Sequence, residues 1–531
     1  MSVRRTMGIE TEYGVLAPGD PGANPMALSA HVVAAYAATR PAGQTARWDY
    51  EGEDPLADAR GFRLDRAAAD PSQLTDSVAE RLAPLGPLER RRPDPRERVG
   101  ASNVVLTNGA RLYVDHAHPE YSSPEVRGPL DVVRWDRAGE EVMRTAARAL
   151  AAEPAMPDVA LYKNNVDGKG QSYGTHENYL MDRDVPFGDV ARYLTPFLVT
   201  RQVFCGAGRV GLGQRSERPG FQISQRADYL EAEVGLETTF NRPIVNTRDE
   251  PHADAARYRR LHVIAGDANL LEVSTFLKVG TTALVLWLLE QGQVPLALDT
   301  LALADPVGEV HAVSHDPSLT RTLTLADGRE LTALEIQGIY LEVVTEALEA
   351  AGDVDTETRA VLDRWSSVLT RLASDPASCA AEVEWVAKLR LLEGMRRRDG
   401  IAWDHPRLAA LDLQWSDVRP EHSVYARLVA AGAVERLVPD DDVAACVAAP
   451  PEDTRAWLRG ESIRRYGTGV AAAGWSSVVL DVPGAPTLTR VPMPDPAYGT
   501  RAAIGGVLDA SADVAALRAA LTGAGAPGQR N

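Results

Sequence analysis

The stretch from residue 107 to residue 125 holds the densest set of reactive side chains in this sequence. Arg111, Tyr113 and Asp115 alternate with two apolar residues, which is the pattern of a strand with one polar and one apolar face. A guanidinium, a phenol and a carboxylate are costly to bury side by side without a purpose. The chain continues with His116, His118, Glu120, Ser122 and Ser123. The stretch therefore predicts the rim of an active site, although a polar sheet edge with a structural Arg–Asp pair would show the same pattern.

A second polar strand is predicted at residues 5–15. Glu10 and Glu12 share one face of this strand, whereas Met7 and Ile9 lie on the other. Two carboxylates two residues apart on one face repel each other unless a cation lies between them or solvent screens them. Carboxylate pairs suit Mg²⁺, which binds through few protein ligands together with phosphate and water. The strand predicts either a metal site or a solvated face.

Further polar faces come from strands spread along the chain. Together with the first two they contribute Glu10, Glu12, Arg111, Tyr113, Asp115, Glu120, His176, Asn178, Arg226, Arg248, His262 and Glu272. Carboxylates with histidines fit a Mg²⁺ site, and convergent arginines fit phosphate groups. The sequence contains no Walker motif, no Gly-x-Ser-x-Gly motif and no cysteine beside an obvious histidine partner. The residues by themselves predict a Mg²⁺–nucleotide enzyme built on an antiparallel-rich sheet.

Composition narrows the class of protein. The net charge of −18 argues against a nucleic-acid binder and against a protein that binds anionic membranes. Three scattered cysteines are too few for a disulfide framework or a cysteine-based metal site. The most apolar run, at residues 283–289, is too short to span a bilayer, and the first residues show no signal-peptide pattern. We therefore expect a cytoplasmic enzyme.

The length of 531 residues predicts one large domain and a smaller one. A Pro-rich break after residue 437 divides the chain into a catalytic domain at 1–437 and a small α/β domain at 438–531. The region 40–100, which ends in a Pro/Arg-rich segment, predicts a mobile loop. Helices are predicted at 26–39, 130–152, 274–290, 332–350, 356–373, 379–397, 406–413, 421–431, 454–466 and 511–521.

Four motifs resemble the Pup ligase/Pup deamidase family, which is related to glutamine synthetase and other carboxylate–amine ligases. They are MGIETEYG, NGARLYVDHAHPEYSSPE, KNNVDGKGQSYGTHENYL and RRLHVIAGDANLLEVSTFLKVGTTAL. The resemblance implies an α+β fold, with a glutamine synthetase-like large domain whose mainly antiparallel curved sheet is flanked by helices, and a small C-terminal domain. The segment RWDYEGEDPLADARGF at 47–62 resembles an extra loop of the deamidase/depupylase branch that the ligases lack. The form DHAHPE at 115–120 is also one residue shorter than its ligase equivalent.

The resemblance also implies roles for individual residues. Asp115 would be the catalytic carboxylate, acting as nucleophile or as general base. Contacts to Mg²⁺ are expected from Glu10, Glu12, Tyr113, Glu120, His176 and His262. Contacts to ATP are expected from Arg111, Ser123, Asn178, Arg226, Arg248 and Trp475.

The implied activity is an ATP- and Mg²⁺-dependent hydrolysis. It converts the C-terminal Gln of the ubiquitin-like protein Pup to Glu, with loss of ammonia, and cleaves the isopeptide bond between Pup and lysine, while ATP stays bound. The implied partners are Pup and pupylated proteins, with a functional link to the proteasome, and we expect a monomer with a locally basic docking groove. The alternatives are a Pup–protein ligase of the same fold, a small-molecule carboxylate–amine ligase and a non-catalytic Pup-binding adaptor.

Overall fold

The structure is a computed structural model, and it describes residues 3–20, 22–65, 69, 102–154 and 156–523. The Pro/Arg-rich end of the predicted 40–100 loop and the last residues of the chain lie outside the described residues. The strands are β1 (Met7–Glu12), β2 (Gly14–Leu16), β3 (Thr45–Trp48), β4 (Ala57–Asp58), β5 (Phe62–Arg63), β6 (Asn103–Leu106), β7 (Arg111–Asp115), β8 (His118–Ser122), β9 (Ala160–Tyr162), β10 (Thr175–Asp182), β11 (Arg209–Leu212), β12 (Arg218–Gln222), β13 (Leu230–Gly235), β14 (Arg242–Asn246), β15 (Tyr258–Val263), β16 (Thr322–Thr324), β17 (Glu330–Thr332), β18 (Val470–Ala473), β19 (Ser477–Leu480) and β20 (Thr489–Pro492). The α-helices are α1 (Pro25–Ala38), α2 (Pro129–Ala151), α3 (Phe187–Thr200), α4 (Gln202–Cys205), α5 (Glu272–Glu290), α6 (Leu296–Asp299), α7 (Pro306–Ser314), α8 (Ala333–Ala351), α9 (Thr356–Ser374), α10 (Glu384–Asp399), α11 (Pro406–Trp415), α12 (Val424–Ala430), α13 (Asp440–Ala448), α14 (Ala456–Tyr466), α15 (Arg501–Ala510) and α16 (Val514–Thr522).

One sheet of ten strands organises the described residues, in the order β15-β10-β1-β8-β7-β6-β3-β18-β19-β20. Neighbouring strands are antiparallel, except that β3 and β18 are parallel. The prediction of an α+β fold with a mainly antiparallel sheet flanked by helices is confirmed.

The apolar face of the sheet packs on helices. Met7 and Ile9 of β1 lie in a core cluster with Val132 of α2 and Leu277 of α5. Because side chains of a strand alternate between faces, burial of Met7 and Ile9 sends Gly8, Glu10 and Glu12 to the opposite side. Helix α5 is long and apolar enough to cross a membrane, but its apolar window lies wholly inside the fold, as in the core helix of a soluble protein.

Most predicted helices are present. The helix predicted at 332–350 begins with a capping box, in which Thr332 caps α8 and exchanges hydrogen bonds with Glu335. The predicted helix start at residue 379 is wrong: Pro376–Cys379 form a 3-10 turn, and extended backbone at Val383 delays α10 until Glu384. Helix α15 was missed, since two adjacent glycines lower its helix propensity.

Two regions differ from the sequence-based organisation. Residues 45–48, inside the region predicted as a mobile loop, instead form β3 in the main sheet. The Pro-rich stretch after residue 437 contains α13, whose Val443 and Cys446 join the large core. Because β3 pairs with β18, the strands of the C-terminal segment continue the sheet of the preceding chain.

A buried ion-pair cluster attaches α14 to the sheet. Glu125 follows β8 and accepts a 2.6 Å hydrogen bond from Nε of Arg455, and it also pairs with Arg459. The Arg459 guanidinium lies over Trp475 and donates to its carbonyl oxygen. Burial acts to raise the pKa of Glu125, but the charges of Arg459 and Arg455 outweigh it and lower that pKa from 4.5 to about 2.

Glu125→Gln should lower Tm by about 3 °C at pH 7, because it leaves two buried arginines without their carboxylate. A carboxylate with a lowered pKa stabilises the fold fully above its unfolded pKa. Its contribution is then lost as pH falls from 4.5 towards 2. The Tm difference between wild type and variant should therefore narrow over that pH range in a calorimetric series.

Glu452→Gln is the matched control, because Glu452 pairs with Arg501 at an exposed position. An equal loss of Tm in both variants would contradict the assigned role of Glu125.

Candidate active site

Polar side chains of neighbouring strands converge on the open face of the sheet. Glu10 of β1 pairs with His176 of β10 on one side and with Ser122 of β8 on the other. Glu12 pairs with Glu120. Directly opposed residues of antiparallel strands point to the same side. The pairing of β10 with β1 and β15, and of β7 with β8, places four further residues on this face: Asn178, His262, Tyr113 and Asp115.

Glu10 lies at the centre of a first cluster. Its carboxylate is 3.3 Å from Nδ1 of His176 and accepts a 3.0 Å hydrogen bond from Nδ2 of Asn178. Oδ1 of Asn178 is 2.9 Å from Nδ1 of His262. Glu10, His176 and His262 each offer one possible ligand atom, and these three atoms lie within 4.8 Å of one another. Burial and the charge of Arg260 keep the pKa of His262 well below its usual value, so this imidazole is neutral and able to bind a metal.

Asp115 lies at the mouth of a second cluster. It ends β7, and His116 in the following tight turn has the left-handed φ of 52°. Oδ1 of Asp115 is 3.1 Å from Nδ1 of His116, and Asp115, His116 and Glu12 can place one ligand atom each within 4.8 Å. The Asp115 side chain is 29% exposed, so a substrate can reach it.

Glu120 is a buried carboxylate whose negative charge is poorly compensated by its neighbours. Its Oε1 atom accepts hydrogen bonds from Tyr113 at 2.5 Å and from Ser122 at 2.9 Å. Its Oε2 atom has no hydrogen-bond partner among the residues that the structure describes. Burial and the charges of Asp115, Glu10 and Glu12 raise the pKa of Glu120 well above its usual value. A divalent cation beside these carboxylates would relieve the same repulsion that now favours a proton.

The donor set fits Mg²⁺ bound mainly by oxygen. Tyr113 joins the site through its hydrogen bond to Glu120, and burial together with the charge of Glu120 raises its pKa well above the usual value. Its hydroxyl therefore stays protonated and donates to Glu120. The residues that could hold a cation here are Glu10, Glu12, Glu120, His176 and His262.

A cavity adjoins Glu10 and contains about 530 Å³ of empty space, part of it open to solvent. Three of the predicted ATP contacts, Ser123, Asn178 and Trp475, line it. Sequence reasoning missed further lining residues, namely Thr6, Met7, Leu180, His252, Arg260 and Arg455. Arg455 carries no local sequence signal, because only the docking of α14 brings it to the sheet.

Two of the remaining predicted arginines lie near this cavity. Arg111 is opposite the cavity residue Ser122 in the β7–β8 pairing. Arg248 acts electrostatically on Glu10, and its Nε atom has no hydrogen-bond partner among the described residues.

Arg226 and Glu272 do not line this cavity. Arg226 is buried and donates to the carbonyl oxygen of Tyr173, whose ring stacks on His118 at 4.2 Å. Burial and the charge of Arg242 lower the pKa of Arg226 to about 9. Glu272 begins α5 and binds Arg436 and the backbone at 437–438. The alternation of polar residues grouped Glu272 with the site, but tertiary packing gives it a structural partner instead.

A second, wider surface depression is less suited to chemistry. Its two histidines are already paired, His311 with the carbonyl oxygen of Leu230 at 2.8 Å and His315 with Asp228 at 2.7 Å. The carboxylate-lined cavity beside Glu10 is therefore the candidate active site.

Comparisons with known proteins identify relatives over nearly the whole chain. The sequence profile of the family described as Pup-ligase protein matches residues 5–479. The chain is 53% identical over 524 residues to a depupylase of Acidothermus cellulolyticus, covering 98% of this chain and 100% of that protein. It is 53% identical over 510 residues to a Pup deamidase/depupylase of Mycobacterium tuberculosis, covering 96% and 97%.

Two solved structures share the fold. The complex of the prokaryotic ubiquitin-like protein Pup with its ligase PafA has a TM-score of 0.75 and 32% identity, and the match covers 96% of this chain and 92% of that one. The Pup ligase PafA in complex with ADP has a TM-score of 0.69 and 33% identity, with 84% and 95% covered. The chain therefore has the fold of these Pup ligases, as the motifs predicted.

Mg²⁺ should raise Tm of the wild-type protein in thermal-shift measurements, and Glu120→Gln should remove most of this shift. The stabilisation is expected to approach about 2.7 kcal/mol at a Mg²⁺ concentration 100-fold above its dissociation constant. The shift should be larger at pH 8 than at pH 6, because a raised pKa of Glu120 lets protons compete with the cation.

Glu330→Gln, at an exposed position of β17, serves as the control and should keep the full shift. The assignment of the cation site fails if Glu120→Gln and Glu330→Gln respond to Mg²⁺ alike.

Proposed function

The chain belongs to the Pup-ligase family, and we propose that it is an ATP- and Mg²⁺-dependent hydrolase acting on Pup. Its identity to a depupylase and to a Pup deamidase/depupylase makes it an enzyme of that kind. The proposed reactions are conversion of the C-terminal Gln of Pup to Glu and cleavage of the isopeptide bond between Pup and a substrate lysine. The observation that carries the proposal is Asp115, an accessible carboxylate that can share a cation with Glu12 and His116. Asp115 lies on the same sheet face as Glu10, which lines the cavity.

Asp115 has the protonation state that the chemistry requires. Burial acts to raise its pKa, but the hydrogen bond and charge of His116, with further positive charge from His176 and Arg111, lower the pKa below its usual value. Glu120 is shifted in the opposite direction. The pKa values of these two neighbouring carboxyl groups are therefore shifted apart, and Asp115 is the one that ionises more readily.

In both proposed reactions the same carbonyl carbon is attacked, and the reactions differ only in the amine that leaves. If Asp115 is the nucleophile, its oxygen attacks that carbon, the C–N bond breaks, and the nitrogen departs with a proton as ammonia or lysine amine. Water then cleaves the resulting anhydride and regenerates Asp115. If Asp115 is the general base, it takes a proton from a water that attacks the same carbon. Each route consumes one water and yields a carboxylate.

The other residues of the site hold the groups on which Asp115 acts. Glu10, Glu12 and Glu120, with His176 and His262, would hold Mg²⁺, and Arg111 and Arg248 would hold the nucleotide phosphates. When bound, Mg²⁺ supplies positive charge that stabilises the oxyanion formed on the carbonyl oxygen. The ADP complex of the PafA neighbour supports a nucleotide in this fold. We further propose action as a cytoplasmic monomer on Pup and pupylated proteins, with a functional link to the proteasome.

Asp115→Asn should reduce deamidation of Pup ending in Gln, and cleavage of a Pup–protein conjugate, by at least about 10³-fold, because an amide can neither attack nor accept the proton. Mass spectrometry follows the Gln-to-Glu conversion, and gel electrophoresis follows release of free Pup. Asp182→Asn, at the exposed end of β10, should keep both activities. Activity retained by a correctly folded Asp115→Asn variant would rule out both roles proposed for this residue.

Cleavage of a conjugate should proceed without stoichiometric formation of ADP, since the amide bond supplies its own leaving group. Release of free Pup and of ADP should be measured in one reaction mixture. A ligase would instead form conjugates from Pup ending in Glu and release one ADP for each bond made. Formation of conjugates with release of ADP, and no cleavage of conjugates, would identify this chain as a Pup ligase instead.

A further inference from the structure

The guanidinium of Arg111 is held between two aromatic rings. Its central carbon lies 4.0 Å from the ring centre of Trp48 and 3.8 Å from that of Tyr113. Nε of Arg111 donates a 3.1 Å hydrogen bond to Oδ1 of Asn103, and Glu53 lies 3.9 Å from the guanidinium. Two faces and one edge of the guanidinium are thus fixed by neighbours, so its orientation is set before any ligand binds.

Trp48 is itself held at its polar and apolar ends. Its indole Nε1 donates a 2.6 Å hydrogen bond to Glu53, and its ring meets Trp475 edge-on at 5.1 Å. The following residue, Asp49, binds Arg490 with two hydrogen bonds of 2.9 Å and accepts another from Ser477. The indole is therefore anchored to the C-terminal strands as well as to its own segment.

The segment that contains Trp48 also contacts the chain around Arg248. Its residues beyond Glu53 are tied to the chain around Arg248: the Asp54 N–H donates to Glu250 at 2.5 Å, and the Ala59 N–H donates to the carbonyl oxygen of Thr247 at 2.8 Å. Residues 45–63, which we call the bridging segment, thus connect the surroundings of Arg111 with those of Arg248.

We propose that Trp48 is a positioning residue for Arg111, with Glu53 fixing the indole, and that it thereby sets the affinity of the site for the phosphates of the nucleotide. Trp48 itself does not touch the reacting atoms and acts only through Arg111. The inference rests on the proposed function in one respect, that Arg111 contacts a bound nucleotide.

The inference is tested with Trp48→Leu, which removes the stacking face and the indole N–H together. Calorimetric titration of the full-length protein with ATP and Mg²⁺ should show a dissociation constant for ATP about 10-fold higher than that of wild type, because a desolvated cation–π contact is lost. At saturating ATP, kcat for cleavage of a Pup conjugate should stay within about 2-fold of wild type. Trp48→Phe should restore most of the affinity, and Glu53→Gln should weaken ATP binding by about 3-fold.

Trp457→Leu is the matched control, because Trp457 lies in the same core cluster as Trp48 and contacts Arg501 instead of Arg111. It should leave the ATP affinity unchanged at a comparable loss of Tm. The inference is overturned if Trp48→Leu and Glu53→Gln bind ATP as wild type does, or if Trp457→Leu weakens binding as much. Wild-type protein that cleaves conjugates without binding ATP would overturn the inference and the ATP dependence but leave the hydrolase intact.

Discussion

The concentration of negative charge on one face of the sheet is the constraint on which the site depends. Glu10, Glu12, Asp115 and Glu120 act electrostatically on one another in a largely buried setting, where an isolated carboxylate is costly. Two histidines and several arginines reduce this cost without removing it, as the lone Oε2 atom of Glu120 indicates. The proposed cation would supply counter-charge, and the strands hold the four carboxylates at rigid positions.

Rigidity comes from the way in which the sheet is enclosed. One face is closed by α2 and α5, so the central strands cannot move without disturbing the core. The other face is bordered by the C-terminal segment, which Glu125 attaches through Arg455 and Arg459. This attachment also places Trp475 at the cavity, so a residue far along the chain lines the same cavity as Glu10.

Local periodicity was enough to predict which faces are polar. The alternation in β1, β7, β10 and β15 assigned four residues to the correct faces, namely Glu10, Asp115, His176 and His262. This works because successive side chains of a strand point to opposite faces, whatever the neighbouring strands are. Cross-strand register is not local, and the residues alone did not show that Glu10 would meet His176. The motifs filled this gap, since they belong to a family whose fold is known.

Packing decides where such residues end up. Glu272 looks like a ligand-binding group in sequence, but it pairs with Arg436, which only the folded chain brings close. Arg226 lies outside the cavity and donates to the carbonyl oxygen of Tyr173, and its contact with ATP stays a prediction. Arg455 and His252 were missed for the complementary reason, since they reach the cavity from elements with no chemical pattern of their own. Charged residues in a sequence therefore identify candidates, and tertiary packing decides which of them face the ligand.

The parallel pairing of β3 with β18 has a consequence for how the molecule is made. Trp48 lies beside Ala473, about 425 residues further along the chain, so this contact has a very high contact order. On the ribosome, β3 and β6 emerge early, and the other edge of β3 stays unpaired until almost the entire polypeptide has been synthesised. The contacts of Trp48 with Trp475 and of Asp49 with Arg490 can form only after that late closure, so a truncated chain would carry the carboxylates without the C-terminal support of the indole beside Arg111.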